Sequence, residues 1–279
     1  MSKIFSLESK LSELHLETAY LVSKAQKIPM VIEVMRRYDV DRVIVVSDSK
    51  LVGVVTVKDI FSKISSKRMS RLSPTSLSVA AFTSPNIITA HPEDTALQAA
   101  ERLLEYNIAA LPVVGNDGVV RGLVTKLLLV PLMVKSSMCC RDFMQPPFVV
   151  VGLRSKLSTA LEKLSNTPIR ELVVVEGDKP VGIISEREAA FTLFNLLRVE
   201  QIRHFDTFIK RLLVLDAMRG LTAALSGEES VKEAAKVMRS IRVNTLPIVK
   251  NDKIVGLVNR DNIFERLLKL EVEERGGKV

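Results

Sequence analysis

The residues best placed to do chemistry are a hydroxyl and a carboxylate three positions apart, Thr56 and Asp59, in the run Gly53-Val54-Val55-Thr56-Val57-Lys58-Asp59. A basic residue, Arg42, stands just ahead of the apolar run Val43-Ile44-Val45-Val46. A hydroxyl and an acid at this spacing can close a capping box at the start of a helix. The same helix N-terminus presents unpaired N–H groups that receive an anion. Both uses stay open on the spacing alone.

The pattern around this pair occurs four times. Each copy has an apolar strand, a tight polar turn, a glycine, a second apolar strand and a polar residue that starts a helix. The strand pairs are Val43–Val46 with Gly53–Thr56, Leu111–Val114 with Gly122–Thr125, Leu172–Val175 with Gly182–Ser185, and Leu246–Val249 with Gly256–Asn259. The glycines recur every 60 to 75 residues or so, longer than the periods of common helical solenoids. Each unit also opens with a short apolar stretch: Ala19–Val22, Ile87–Ala90, Val149–Val151 and Ala223–Leu225. An amphipathic helix follows, with Ala96, Leu97, Ala100, Leu103 and Leu104 on one face in the second unit, and Val231, Ala234, Ala235 and Met238 in the fourth. Thr95 and Ser230 are candidate caps. The turns (Ser47–Lys50, Gly115–Gly118, Glu176–Lys179, Lys250–Lys253) are rich in residues that tolerate hairpin geometry. The order β-α-β-β-α, with near-continuous Val and Ile runs, predicts an α/β (α+β) fold whose strands are covered on both faces.

The four slots differ. The third has Ser185 and Glu188 with Arg170 ahead of its strand; the extra methylene of Glu188 favours a capping box. The second has Thr125, but Leu128 replaces the acid and Ala109 and Ala110 replace the arginine. The fourth has Asn259 and Asn262, with Asp261 one position early and so rotated to another face of its helix.

This fourfold pattern resembles the CBS domain, the cystathionine-β-synthase-type regulatory repeat. Asp142-Phe143-Met144 and Asp216-Ala217-Met218 look like that family's Asp-x-Met segment leading the third and fourth repeats. The resemblance implies repeats over 8–67, 80–135, 138–198 and 212–270. It pairs them into two Bateman modules, 1–135 and 138–270, that can close into a disc like archaeal relatives of the AMP-activated protein kinase gamma subunit. It also implies a regulatory protein, not an enzyme, that binds AMP, ADP or ATP in its clefts and signals cellular energy state to a protein partner such as a kinase or metabolic enzyme. S-adenosylmethionine is the less favoured ligand. By the same resemblance Asp59 takes the ribose, Thr56 and Arg42 meet the phosphate, the backbone near Tyr20 and Leu21 faces the adenine, and Lys58 belongs to the same cleft. Ser185, Glu188 and Arg170 are a second candidate set.

Composition frames these readings. The 279 residues carry a net charge of +8 and 47% hydrophobic residues, enough for a sizeable core and suited to anionic partners. Three Tyr and no Trp offer little for base stacking, and no nucleic-acid-reading motif is present, although the cluster Lys63, Lys67, Arg68 and Arg71 keeps nucleic-acid binding as an alternative. A ligand-free scaffold is the other. Neither a catalytic constellation nor a metal-ligand spacing emerges: His15, His91 and His204 are far apart, and the adjacent Cys139 and Cys140 read as two thiols of a reducing compartment. The apolar run Leu123–Val134 is too short to span a bilayer and is broken by Lys126 and Pro131, so a cytoplasmic protein is expected; four repeats that close a disc allow a monomer or a face-to-face homodimer. Ser62–Ser78 reads as a solvated linker, Phe191–Leu213 as a long helical connector, and Glu271–Val279 as a frayed tail.

Overall fold

The computed structural model describes residues 5–64, 77–84, 87–134, 138–145, 148–167, 170–199 and 210–276. The first repeat contains β1 (Leu21–Ser23), α1 (Ile28–Arg37), β2 (Arg42–Ser47), β3 (Lys50–Thr56) and α2 (Val57–Ile64). The second contains α3 (Ala96–Glu105), β4 (Ala110–Val114), β5 (Val120–Thr125) and α4 (Lys126–Met133). The third contains β6 (Val150–Gly152), α5 (Leu157–Asn166), β7 (Glu171–Glu176), β8 (Lys179–Ser185) and α6 (Glu186–Val199). Next comes β9 (Arg219–Gly220), and the fourth repeat has α7 (Val231–Ile241), β10 (Thr245–Lys250), β11 (Lys253–Asn259) and α8 (Arg260–Glu274).

The local signals act as the sequence predicts. Thr95 and Ser230 close capping boxes with Gln98 and Glu233. Positive φ at Asp48 and Ser49, and at Asn251 and Asp252, gives the two-residue turns that suit a twisted hairpin. All four hairpins shift register at the same place, between Val45 and Val46, Val113 and Val114, Val174 and Val175, and Ile248 and Val249.

Two expectations are corrected. The opening stretches are strands only in the first and third repeats, where β1 and β6 run parallel to β2 and β7. In the second and fourth, Ala90 and Leu225 each make a single parallel bridge, to Val113 and Ile248. The tail is not frayed from Glu271, because α8 continues to Glu274 and Arg275 pairs with Glu8 and Glu271. Most of the Ser62–Ser78 linker and part of the Phe191–Leu213 connector lie outside the described residues.

Each repeat's leading segment crosses to the other repeat of its pair. Residues 7–17 bond to the second repeat, through Leu11 N–H to Asp94 O and a bridge between Glu17 and Leu123. Ser78 and Ser84 return the exchange by bridging Lys27 and Val54 of the first. Cys139 and Gln145 bridge Ser230 and Leu257 of the fourth repeat, while Leu213 bridges Lys156 and β9 pairs with β8 of the third. The Asp-x-Met segments therefore precede the third and fourth repeats in sequence and clasp the fourth and third in space. In each, the Asp receives a backbone N–H at the head of a single 3-10 turn: Cys139 N–H to Asp142, and Leu213 N–H to Asp216.

The pairs join across helices. Helix α2 packs on α6, and α4 packs on α7 and α8. One core runs through the second and fourth repeats, from Leu103 and Leu129 to Val258 and Phe264. Another joins the first repeat to Ala190 and Phe194 of α6. This burial explains why α4 is apolar nearly all round, with Leu129, Val130 and Met133 enclosed between two repeats.

Candidate ligand cleft

At the junction of the repeats lies a cavity of about 680 Å³. Its walls include Thr56, Thr125 and Ser185, the residues that start the closing helices of the first three repeats, and Arg260 and Asp261, which begin that of the fourth. The repeat architecture thus turns four helix N-termini toward a common space. Eight cationic and six acidic side chains line it.

Of the residues singled out in the sequence, Tyr20, Arg42, Thr56, Lys58, Arg170 and Ser185 line this cavity. Leu21, Asp59 and Glu188 do not, and Leu21 is half-exposed. Asp59 closes a capping box: its Oδ2 receives the Thr56 backbone N–H at 2.8 Å and the Thr56 hydroxyl at 2.7 Å, while Thr56 Oγ1 accepts from Asp59 N–H at 3.2 Å. Glu188 is buried and does the same for Ser185 N–H, at 3.0 Å. Arg187 holds its other oxygen, with Nε at 3.0 Å and Nη2 at 2.9 Å. Burial works against ionisation of Glu188, but Arg187 beside it outweighs that and holds the carboxyl below its ordinary value.

Arg42 is gripped by its neighbour, Nε to Asp41 Oδ1 at 2.8 Å and Nη2 to Oδ2 at 3.0 Å. Loss of solvent opposes ionisation of Asp41, yet Arg42 keeps its carboxyl well below the usual range, so the pair stays charged. Among the described residues the Arg42 guanidinium bonds through Nε and Nη2, both to Asp41.

Ion pairs cross the cavity between modules. Asp39 of the first repeat receives Arg187 at 3.1 Å and Arg219 at 3.2 Å. Lys126 of the second repeat, nearly enclosed, reaches Asp261 of the fourth at 2.8 Å. Asp261 is drawn down to about 2, since Arg260 and Lys126 overcome its burial. Glu17 receives Arg239 Nε at 3.0 Å. Glu171 is the opposite case: burial, with Glu188 nearby, pushes its carboxyl up to about 7 despite the backbone N–H of Asn244 at 2.7 Å. The rotated Asp261 of the sequence thus faces the cavity and ties two modules together.

The fourth slot is internally satisfied. Asn259 Oδ1 accepts from Asn262 N–H at 2.8 Å, Asn259 Nδ2 donates to Gln145 at 2.9 Å, and Asn262 Nδ2 donates to Phe143 O at 2.9 Å. Sequence reasoning missed Asp39, Asp41, Glu17, Arg187, Glu171 and Arg260 as cavity residues. Most sit next to a motif position, so the signal was adjacency to the cap or to the strand start. Among the described residues no three His, Cys, Asp or Glu side chains are grouped as for a metal ion. No described helix is long and apolar enough to cross a membrane.

The CBS domain profile matches residues 15–66, 79–130, 140–194 and 222–269. The chain belongs to the CBS domain family. Its two halves are the paired CBS repeats, or Bateman modules, that the sequence pattern resembles. A CBS domain-containing protein of Dictyostelium discoideum is 26% identical over 132 residues, 47% of this chain and 91% of that protein. An uncharacterized 33.4 kDa protein in a ribosomal RNA operon of Thermofilum pendens is 29% identical over 131 residues, again 47% of this chain but 39% of the relative. Among solved structures, a Methanocaldococcus jannaschii protein proposed as an archaeal homologue of γ-AMPK superposes with a TM-score of 0.76 at 19% identity, over 92% of this chain and 99% of that one. That likeness shows the four-repeat CBS fold.

Proposed function

We propose that this CBS protein is a non-catalytic regulator that binds an adenine nucleotide, AMP, ADP or ATP, in the cleft of its first repeat and passes that state to a protein partner. The observation that carries the reading is the 680 Å³ cavity in which Thr56, Lys58, Arg42 and Tyr20 meet. Its volume lies within the usual range for small-molecule sites. The N-terminus of α2 and the guanidinium of Arg42 suit phosphate oxygens, and the cationic excess of the walls suits a polyanion. Asp59, which follows the lining residue Lys58 and does not itself line the cavity, is the carboxylate we assign to a ribose diol, and to take that role it must leave the capping box and release the Thr56 hydroxyl. S-adenosylmethionine, a cation, gains less from such walls.

Signalling follows from the ion pairs across the same cavity. A bound phosphate competes with Asp39, Asp41 and Asp261 for their arginines and lysine. It thereby favours one arrangement of the two modules, which is the differential binding that population shift requires.

The test is calorimetric titration of the full chain with AMP, ADP, ATP and S-adenosylmethionine beside Asp59→Ala. Binding of a nucleotide near one site per chain, weakened at least tenfold in the variant, is the expected result. Absence of binding for all four ligands, or hydrolysis of ATP above background by the pure protein, overturns the reading.

A further inference from the structure

In every repeat one residue of a crossing segment pairs with the same strand position, and two of the four, Ser84 and Glu17, line the cavity. Ser84 bridges Val54, Glu17 bridges Leu123, Arg219 pairs with Ile183, and Gln145 bridges Leu257. Each partner is the residue directly after the repeated glycine and two before the helix-starting residue. The residue before each of these four, namely Thr83, Leu16, Met218 and Met144, packs on the glycine itself. The crossing segment is therefore locked in register, and in the second and fourth repeats its next side chain bonds the helix-starting residue.

What is delivered differs between clefts. In the second, Glu17 Oε1 accepts the Thr125 hydroxyl at 2.9 Å and also receives Arg239 at 3.0 Å. A carboxylate thus occupies the N-terminus of α4, where an anionic group would bind. In the fourth, Gln145 occupies the amide of Asn259 at 2.9 Å. In the third, Arg219 is spent on Asp39 and on the backbone oxygens of Ile241 and Arg242. In the first, the side chain is the short, exposed Ser84, which lines the cavity beside Thr56.

We propose that this crossing-segment residue sets ligand access in the first two clefts, and that Glu17 closes the second cleft to anionic ligands while Ser84 leaves the first one open. The second cleft retains what an anion needs apart from the gate: the hydroxyl of Thr125, the N-terminus of α4 and the cation Arg239. Leu128, at the position of the acid, offers a ligand no carboxylate there. Glu17 supplies a carboxylate from the other repeat, aimed at the hydroxyl instead of at a ligand. This inference rests on the nucleotide reading for its first-cleft arm and stands apart from it for the second.

The experiment is titration of the full chain with ATP for the wild type, Glu17→Ser, Glu17→Gln and Ser84→Glu, each checked for folding by its thermal transition. The expected result is one site in the wild type, two in Glu17→Ser, and at least tenfold weaker binding in Ser84→Glu, whose exposed position tolerates the change. A second site in both Glu17 variants assigns the barrier to charge; a second site in Glu17→Ser alone assigns it to bulk, and either upholds the gate. Wild-type stoichiometry in both Glu17 variants, or wild-type affinity in Ser84→Glu, overturns it. Should the wild type bind no ATP, the first-cleft reading fails, and a site gained by Glu17→Ser still upholds the gate. No binding by either overturns both.

Discussion

The sulfur of Met218 lies over Gly182, where a β-carbon would stand 2.7 Å from it and 2.7 Å from the backbone oxygen of Arg219. The glycine is demanded by close approach of the crossing segment rather than by a left-handed φ. Gly182→Ala must push β9 away from β8, an overpacking that costs about 1–3 kcal/mol. Gly220, in β9 itself, has open space where its β-carbon would lie, so Gly220→Ala stays within about 0.5 kcal/mol. Urea unfolding of the two variants checks the contrast, and equal midpoints would refute it.

Asp59 has a structural task whatever binds beside it. It satisfies both the backbone N–H and the hydroxyl of Thr56. Asp59→Ala therefore lowers stability by about 1 kcal/mol even without ligand, as loss of a helix-capping contact does. Asp59→Asn keeps an acceptor and loses less. Thermal melts of the ligand-free variants measure the difference, and an unchanged transition for Asp59→Ala would exclude the capping role.

The Lys126–Asp261 pair joins the second repeat to the fourth, with the lysine almost enclosed and its ammonium 5.4 Å from the centre of the Phe264 ring. Asp261→Asn leaves that ammonium buried without a carboxylate and costs about 3 kcal/mol. Lys126→Met costs less, because Asp261 keeps Arg260 at 3.1 Å. A double-mutant cycle should return a coupling on the order of 1–3 kcal/mol. Because the folded Asp261 is held near 2, its contribution is complete above its ordinary value of 3.8 and is lost as pH falls through about 2. Additive single-variant effects would remove this pair as a tie between modules.

Glu171 runs the other way. Buried and crowded by Glu188, it keeps its proton in the folded chain up to about pH 7, whereas the unfolded chain releases it near 4.5. Between those values the folded state holds more protons, so stability falls as pH rises, and the full penalty is present above 7. Glu171→Gln should flatten this slope between pH 5 and 7.5. Transition temperatures across that range for both proteins decide it, and parallel curves would rule out Glu171 as the source.

Local pattern carried most of the fold. The capping boxes at Thr95 and Ser230 and the hairpin turns at Asp48-Ser49 and Asn251-Asp252 depend on interactions within about four residues, and the apolar face of α7 at Val231, Ala234, Ala235 and Met238 shows as a local periodicity. Propensity and periodicity report such interactions directly. The opening stretches of the second and fourth repeats failed as strands because a strand needs a partner over several residues. Ala90 and Leu225 each find only one.

The sequence by itself determined that four like units exist and where their hairpins, turns and caps fall, and it singled out Thr56, Asp59 and Arg42 as a slot carrying a hydroxyl, an acid and a base together. Only the tertiary structure decided which segment clasps which repeat, since the crossing of residues 7–17 and of the Asp-x-Met segments depends on contacts far apart in the chain. It alone placed Asp59 in a capping box, set Glu17 against Thr125, and gathered Asp39, Lys126, Arg187 and Asp261 around one cavity. The physical reason is range. Hydrogen bonds within a turn are encoded by neighbours in sequence, whereas the electrostatics of a shared cavity depend on which charges folding brings together and how much solvent it removes.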